Sequence, residues 1–358
     1  MRPLADPAVR RVAVVRLRVG LGDLLCGVPA LRAVRRARPD LHVTLVTWPE
    51  TAPVVRRMAA YVDRLLPFPG FSGIPERPVH EAGWAPFLRA AGRFDLAVQA
   101  YGDNPAANRV CDALDARHVA GFWPTGSPGP PPAGHLRYPH DVHEIDRHLR
   151  LVAHLGVPVG AGAGVRALEF PIRSADRAAD VALRRRHGLT AGHYAVVHPG
   201  ATSPSRRWPA ARFAGVADHL AARGLRVVLT GVPAEREVTA AVRRLTRRPT
   251  VDLTGATSLG GLALLLRHAA ILVANDTGTA HLAAAVGTPS VTVYLSGDPV
   301  RWSHPGGPHR IARAAVGCNP CPHLTCPIDF RCAIRLPVSV VLSEVDGLLR
   351  RTARPGSR

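Results

Sequence analysis

Four stretches carry side chains capable of chemistry. Gly20-Leu21-Gly22-Asp23 places a carboxylate at the end of a glycine-rich turn. An Asp there can cap a helix by accepting backbone N–H bonds, or can act as a general base toward a hydroxyl. No third glycine follows at dinucleotide spacing and no acid ends the next strand, so NAD binding is not read from this turn. The second stretch, His198 to Pro209, joins small residues and hydroxyls, Thr202 among them, to the paired guanidiniums of Arg206 and Arg207. That mixture suits a phosphate or pyrophosphate, and the alternative is a solvated face ahead of a helix started by Trp208-Pro209. The third, Asn275-Asp276-Thr277-Gly278-Thr279-Ala280-His281, follows the apolar run Ile271–Ala274. Asp276 or Thr277 can cap a helix whose first N–H groups, from Gly278 on, face an anion, with His281 about one turn in. Last, Cys318, Cys321, Cys326 and Cys332 lie within fifteen residues among prolines. Four thiols can hold a structural zinc, although these spacings are not those of a standard ribbon, and buried or surface thiols are the other reading. Disulfides are not expected in a reducing compartment.

The elements that must hold these stretches alternate. Arg11–Leu17, His42–Thr47, Val62–Phe68, Phe94–Ala100 and His118–Phe122 read as strands. Asp23–Arg38 carries apolar residues at helical spacing (Leu24, Leu25, Val28, Leu31, Val34), and Thr51–Ala60 and His140–Leu155 are also predicted helices. Pro124 to Pro139 is read as a loop, and Gly156–Gly164 as the linker. The second half repeats the alternation with strands at Tyr194–His198, Arg226–Thr230, Val251–Leu253, Ile271–Ala274 and Ser290–Tyr294. Helices are expected at Ala175–His187, Pro209–Arg223, Ala234–Leu245, Leu259–His268 and Thr277–Val286. The pattern predicts an α/β protein of two doubly wound, mostly parallel sheets. Ligands in such folds bind outside the carboxyl ends of the strands, so a cleft between two sheet edges is expected.

A chain of 358 residues agrees with two domains at about 150 residues each. Its 47% hydrophobic content excludes a disordered chain. The net charge is +20, from 46 basic and 26 acidic residues, and every basic residue is Arg. Polyanion binders cluster such charge, whereas here it is spread in doublets and triplets such as Arg184-Arg185-Arg186. With Lys absent and Ala, Gly and Pro abundant, the balance reads as the imprint of a GC-rich genome, and a nucleic-acid partner is not expected. No apolar run reaches the ~18 residues of a membrane helix. Arg16 and Arg18 interrupt the apolar stretch after Arg10-Arg11, so no secretory signal is read. The expectation is a cytoplasmic protein with at most peripheral membrane contact.

These motifs, in this order, resemble glycosyltransferase family 9, the heptosyltransferase family, over about residues 10–348. The anchors are Gly20–Asp23 with Val28-Pro29-Ala30-Leu31-Arg32, His198–Ala201 with Arg207-Trp208-Pro209, and Leu229-Thr230-Gly231 with Glu235. Asp252–Gly255, Asn275–Gly278 with His281–Ala284, and Gly297-Asp298-Pro299 with Arg301-Trp302 complete the set. The resemblance implies a GT-B fold of two Rossmann-like domains facing each other across a cleft. Residues 1–170 would form the acceptor side and 171–358 the donor side, with the C-terminal helix packing back on the first domain. It implies inverting transfer of a heptose from ADP-heptose to an acceptor hydroxyl of a surface glycan or natural product, by a monomer needing no cofactor. Carried over by position, Asp23 is the acceptor-activating base in the loop of Gly20 and Gly22. Thr202 and Arg206 contact donor phosphate, with Arg207 the substitute if the register slips. Glu235 contacts the nucleoside, and Asp276, Thr277, Gly278 and His281 form the pyrophosphate and sugar loop. The family's phosphate-loop Lys is replaced by Arg, Ala201 stands where a second hydroxyl can occur, and the loop before Asp23 is one residue longer. The competing readings are a nucleotide-sugar epimerase or hydrolase on the same scaffold, and a basic nucleic-acid-binding protein.

Overall fold

The computed structural model describes residues 2–304 and 307–352, so residues 353–358 of the expected second domain lie outside the described residues. The chain divides into two compact units between Glu169 and Phe170.

In the first unit, short β-branched runs become strands because both of their faces are covered. The elements are β1 (Arg11–Val15), α1 (Leu21–Ala37), β2 (His42–Thr47), α2 (Ala52–Val55), β3 (Arg64–Pro67) and α3 (Trp84–Ala91). They continue with β4 (Leu96–Gln99), α4 (Pro105–Ala113), β5 (His118–Trp123), β6 (His135–Arg137) and α5 (Glu144–His154). The strands form one parallel sheet in the order β3-β2-β1-β4-β5-β6. The predicted helix Thr51–Ala60 is broken into a 3-10 turn, the short α2 and a second 3-10 turn. Pro49 and Pro53 each stand at the start of one of these pieces, where a missing backbone donor is tolerated. The predicted loop 124–139 contains β6, and it is held down by Arg137, which donates to the carbonyls of Pro124 and Ser127. The predicted linker 156–164 is likewise not free. Arg32 of α1 donates to the carbonyls of Gly164, Val165 and Ala167 and pairs with Glu169, which keeps this stretch on the first unit.

The second unit runs α6 (Ser174–His187), β7 (Tyr194–His198), α7 (Ala210–Ala222), β8 (Arg226–Leu229), α8 (Arg236–Leu245) and β9 (Thr250–Asp252). It continues with α9 (Leu259–Arg267), β10 (Ile271–Asn275), α10 (Gly278–Val286), β11 (Ser290–Val293), α11 (Pro299–Trp302), β12 (His309–Ala312), α12 (Arg331–Ile334) and α13 (Val338–Thr352). Its parallel sheet has the order β12-β11-β10-β7-β8-β9. Numbered from its own first strand, this is the same order as in the first unit. The C-terminal helix, expected on the first domain, belongs instead to the second unit. Val341, Val345 and Leu348 of α13 are buried in one core with Phe213, Val216 and Leu220 of α7 and Val291 and Val293 of β11. Among the described residues no helix is long and apolar enough to cross a membrane.

Both sheets reverse direction beside their first strand, between β1 and β4 and between β7 and β10. The crevice at such a reversal, outside the carboxyl ends of the strands, is where open α/β sheets bind ligands. Three of the four chemical stretches begin at these points.

Candidate functional site

In the first unit, the chain leaves β1 at Val15, passes Arg16 and enters α1 with Gly20 as its N-cap. Asp23 is therefore in the first turn of the helix, three residues after the N-cap. Its side chain is 22% exposed. A Cβ on Gly20 would collide with the Asp23 carboxylate, so the carboxylate lies there only because position 20 is glycine. Gly22 is buried beside it.

Arg16 underpins this turn and was not singled out by the sequence. Its guanidinium donates to the carbonyls of Ala100 (2.9 Å), Tyr101 (3.2 Å) and Asp23 (3.1 Å) and to Glu144 Oε1 (2.9 Å). Nη2 also lies 3.7 Å from Asp23 Oδ1. Glu144, at the start of α5, is 1% exposed and bonds to Arg147 and His148 as well. Burial, reinforced by the Arg16 cation, pushes His148 down to about 4, so it is neutral near pH 7. Two buried cations thus face one buried carboxylate, and Asp23 supplies the second negative charge at the solvent-facing end.

In the second unit, the loop after β7 and the loop after β10 are tied together. Asn275 ends β10; its Nδ2 donates to the Pro199 carbonyl (2.7 Å) and its Oδ1 accepts from the Trp208 N–H (3.1 Å). Trp208 is fully buried against Phe213 and donates through Nε1 to Leu336. Anchored this way, the loop presents Arg206 with Nη1 3.4 Å from Asp276 Oδ2. Asp276 is 3% exposed whereas Arg206 is 38% exposed, so the pair leaves guanidinium N–H groups facing solvent. Arg207 does something else: its Nε donates to the Ala201 carbonyl (2.8 Å) and closes the loop on itself. The loop thus engages its two arginines differently. Thr202 is exposed on the same loop. Thr277 is the N-cap of α10 and makes no side-chain cap bond, and Gly278 opens the helix. His281, one turn in, is buried.

Glu235 closes the other flank. Its Oε2 accepts from the Val232 N–H (2.8 Å) and lies 3.6 Å from His198 Nε2, while His198 Nδ1 meets Thr230 Oγ1 (3.0 Å). Burial lowers the His198 pKa, the Glu235 carboxylate opposing it only in part. A Cβ on Gly200 would collide with the Glu235 carboxylate. Gly200→Ala is accordingly expected to destabilise the protein by about 1–3 kcal/mol through overpacking. Thermal unfolding measures this, and an unchanged midpoint would show that Glu235 can move aside freely.

The four cysteines differ in burial. Cys318 is exposed, Cys321 and Cys326 are half-buried and Cys332 lies in the core of the second unit; all four are free thiols. Among the described residues no three His, Cys, Asp or Glu side chains are placed to hold a metal ion. The segment has a structural part. Ser205, next to Arg206, donates to the His323 carbonyl (2.6 Å) and takes its backbone bond at the Leu324 carbonyl (2.9 Å). The Cys321 N–H donates to Ser296 (2.8 Å), whose hydroxyl meets that of Ser205 (2.9 Å). The cysteine–proline segment therefore braces the loop that carries Arg206.

The sequence model of Glycosyltransferase family 9 (heptosyltransferase) matches residues 109–330 of this chain. The chain belongs to glycosyltransferase family 9. Lipopolysaccharide heptosyltransferase 3 of Escherichia coli is 24% identical over 295 residues, covering 78% of this chain and 82% of that protein. Two solved structures share the fold: a family 9 glycosyl transferase from Veillonella parvula (TM-score 0.78, 22% identity, 98% and 99% of the two chains) and E. coli ADP-heptose lps heptosyltransferase II (TM-score 0.70, 18% identity, 96% and 100%). The fold is GT-B, as the family resemblance implied, and the protein is a glycosyltransferase.

Proposed function

We propose that this family 9 enzyme transfers a heptose from ADP-heptose, with inversion, to an acceptor hydroxyl of a surface glycan or natural product. The observation that carries this reading is Arg206 beside Asp276 at the start of α10. A half-exposed guanidinium and free helix N–H groups suit a diphosphate, and a buried, acceptor-only carboxylate between them suits sugar hydroxyls. The names of the E. coli relatives support heptose and ADP. Arg206 and Thr202 contact the donor phosphates. Asp276, Thr277, Gly278 and His281 receive the diphosphate and sugar, and Glu235, against Gly200 and Gly231, contacts the nucleoside.

The first unit supplies the base. Asp23 removes the acceptor proton as the acceptor oxygen bonds to the anomeric carbon from the side opposite the diphosphate. The bond to the diphosphate breaks and its electron pair stays on the leaving oxygen. Arg206 and the N–H groups of α10 meet the charge that grows there, which is where preorganised positive charge lowers the barrier most.

The arginine excess does not require a nucleic-acid partner. Arg32, Arg38, Arg147 and Arg212 each donate to two or more backbone carbonyls. The enzyme is read as a cytoplasmic monomer on a glycan, lipid-linked or small-molecule acceptor.

Calorimetry with ADP-heptose, UDP-glucose and GDP-mannose tests the donor, and ADP-heptose is expected to bind tightest. ADP release should then depend on acceptor. Tighter binding of another nucleotide sugar would overturn the donor, and equal ADP release without acceptor would replace transfer by hydrolysis.

A further inference from the structure

His281 is buried one turn into α10, and its Nδ1 lies 2.8 Å from Nε2 of His304, which follows α11. The two rings are nearly perpendicular, 87° apart with centroids at 4.9 Å, and Trp302 covers another edge of His281 at 5.8 Å. Two imidazole nitrogens this close share one hydrogen, so one ring donates and the other accepts.

His304 also faces β12. Its ring meets that of His309 edge-on at 6.2 Å, and His309 Nδ1 is engaged by Ser290 Oγ at 2.9 Å. Ser303, His304, His309 and Ser290 line one cavity of about 200 Å³ with Arg310. His304 is therefore set in a polar frame outside the donor loop, while His281 belongs to the helix whose N-terminus is read as the diphosphate contact.

The direction of the shared hydrogen matters chemically. If His281 donates from Nδ1 and is neutral, its Nε2 carries only a lone pair, which repels an anion. If His304 donates, the His281 proton resides on Nε2 and that nitrogen becomes a donor.

We infer that His304 is a positioning residue for His281: its Nε2–H bond to His281 Nδ1 holds the ring and keeps the proton on His281 Nε2, as a donor to the anionic part of the nucleotide sugar. This rests on the donor reading given above. It assigns His304 no contact with substrate, only control of a ring that has one.

The test uses the full chain with His304→Phe, which keeps a ring but loses the bond, and His304→Gln, whose amide can donate in its place. Nitrogen-15 spectra of the histidines in the donor-free protein should show His281 protonated on Nε2 in the wild type and in His304→Gln, and a mixture of tautomers in His304→Phe. His304→Phe should lower kcat for transfer from ADP-heptose by about tenfold or more, the scale of one charge-assisted hydrogen bond, with the donor KM little changed. His304→Gln should recover most of that loss. A His281 protonated on Nδ1 in the wild type, full kcat in His304→Phe, or no recovery in His304→Gln would each overturn the role of His304. The donor reading fails separately, by a wild-type protein that binds no ADP-heptose in calorimetry.

Discussion

Asp23→Asn is expected to lower the kcat for heptosyl transfer by about 10²–10⁴-fold, the range for removal of a positioned general base. The substitution is nearly isosteric, so Gly20 and the first turn of α1 still accommodate it. Asparagine accepts hydrogen bonds but does not take the acceptor proton at neutral pH. Affinity for ADP-heptose should stay within about twofold, because the donor residues Arg206, Glu235 and Asp276 all belong to the other unit. Steady-state kinetics and calorimetry on the same preparation check both parts. Turnover near that of the wild type would remove Asp23 as the base, and a collapse of donor affinity would make it a binding residue instead.

The second large effect concerns stability. Glu144→Ala is expected to cost about 3–5 kcal/mol, the usual result of removing one partner from a buried ionic cluster. Glu144 is 1% exposed and bonds to Arg16, Arg147 and His148, so its loss leaves two buried guanidiniums without their shared anion. Each cation keeps its backbone carbonyls, Ala100, Tyr101 and Asp23 for Arg16, and Pro139, His140 and Val142 for Arg147. Those bonds neither replace the lost charge nor give Arg147 Nη1, which bonds to Glu144, a new acceptor. Urea unfolding followed by circular dichroism measures the change, and a shift below about 1 kcal/mol, the size of an exposed pair, would show that the cluster is solvated in practice. The same variant should also lower kcat, because Arg16, which lies 3.7 Å from the Asp23 carboxylate, loses the anion that holds its guanidinium in place.

Much of the site was legible because its residues follow one another in the chain. Asp276, Thr277, Gly278 and His281 stand at the end of an apolar run and the start of a helix, and local pattern alone puts them at a strand's carboxyl edge. The Asp23 turn was found by the same logic. What escaped was built from distant segments. Arg16 interrupts a β-branched run and reads as a solvated charge, yet it meets Glu144, 128 residues on. Glu144, Arg147 and His148 have the spacing of an ordinary exposed helical pair, and their burial comes from the packing of α5 on α1. His304 is 23 residues from His281 and belongs to no motif. The edge strands β6 and β12 were missed because His135–Arg137 and His309–Ala312 are short, and their parallel partners lend them order.

The cysteines differ in burial, from an exposed Cys318 to a core Cys332, and their segment braces Ser205.

The sequence by itself determined the alternation of strand and helix, the two doubly wound units and the loops proposed to hold a carboxylate base and a diphosphate. Those follow from residue periodicity and turn chemistry, which act over a few residues. Tertiary structure alone decided which charges are buried, how each arginine of the pair is engaged, and which histidines lie side by side. Burial and partnership depend on what the rest of the chain brings alongside. The arginines illustrate this most directly: compositionally they are a diffuse +20, and in the fold many are planar clamps on carbonyls, a task that needs several N–H groups in fixed directions.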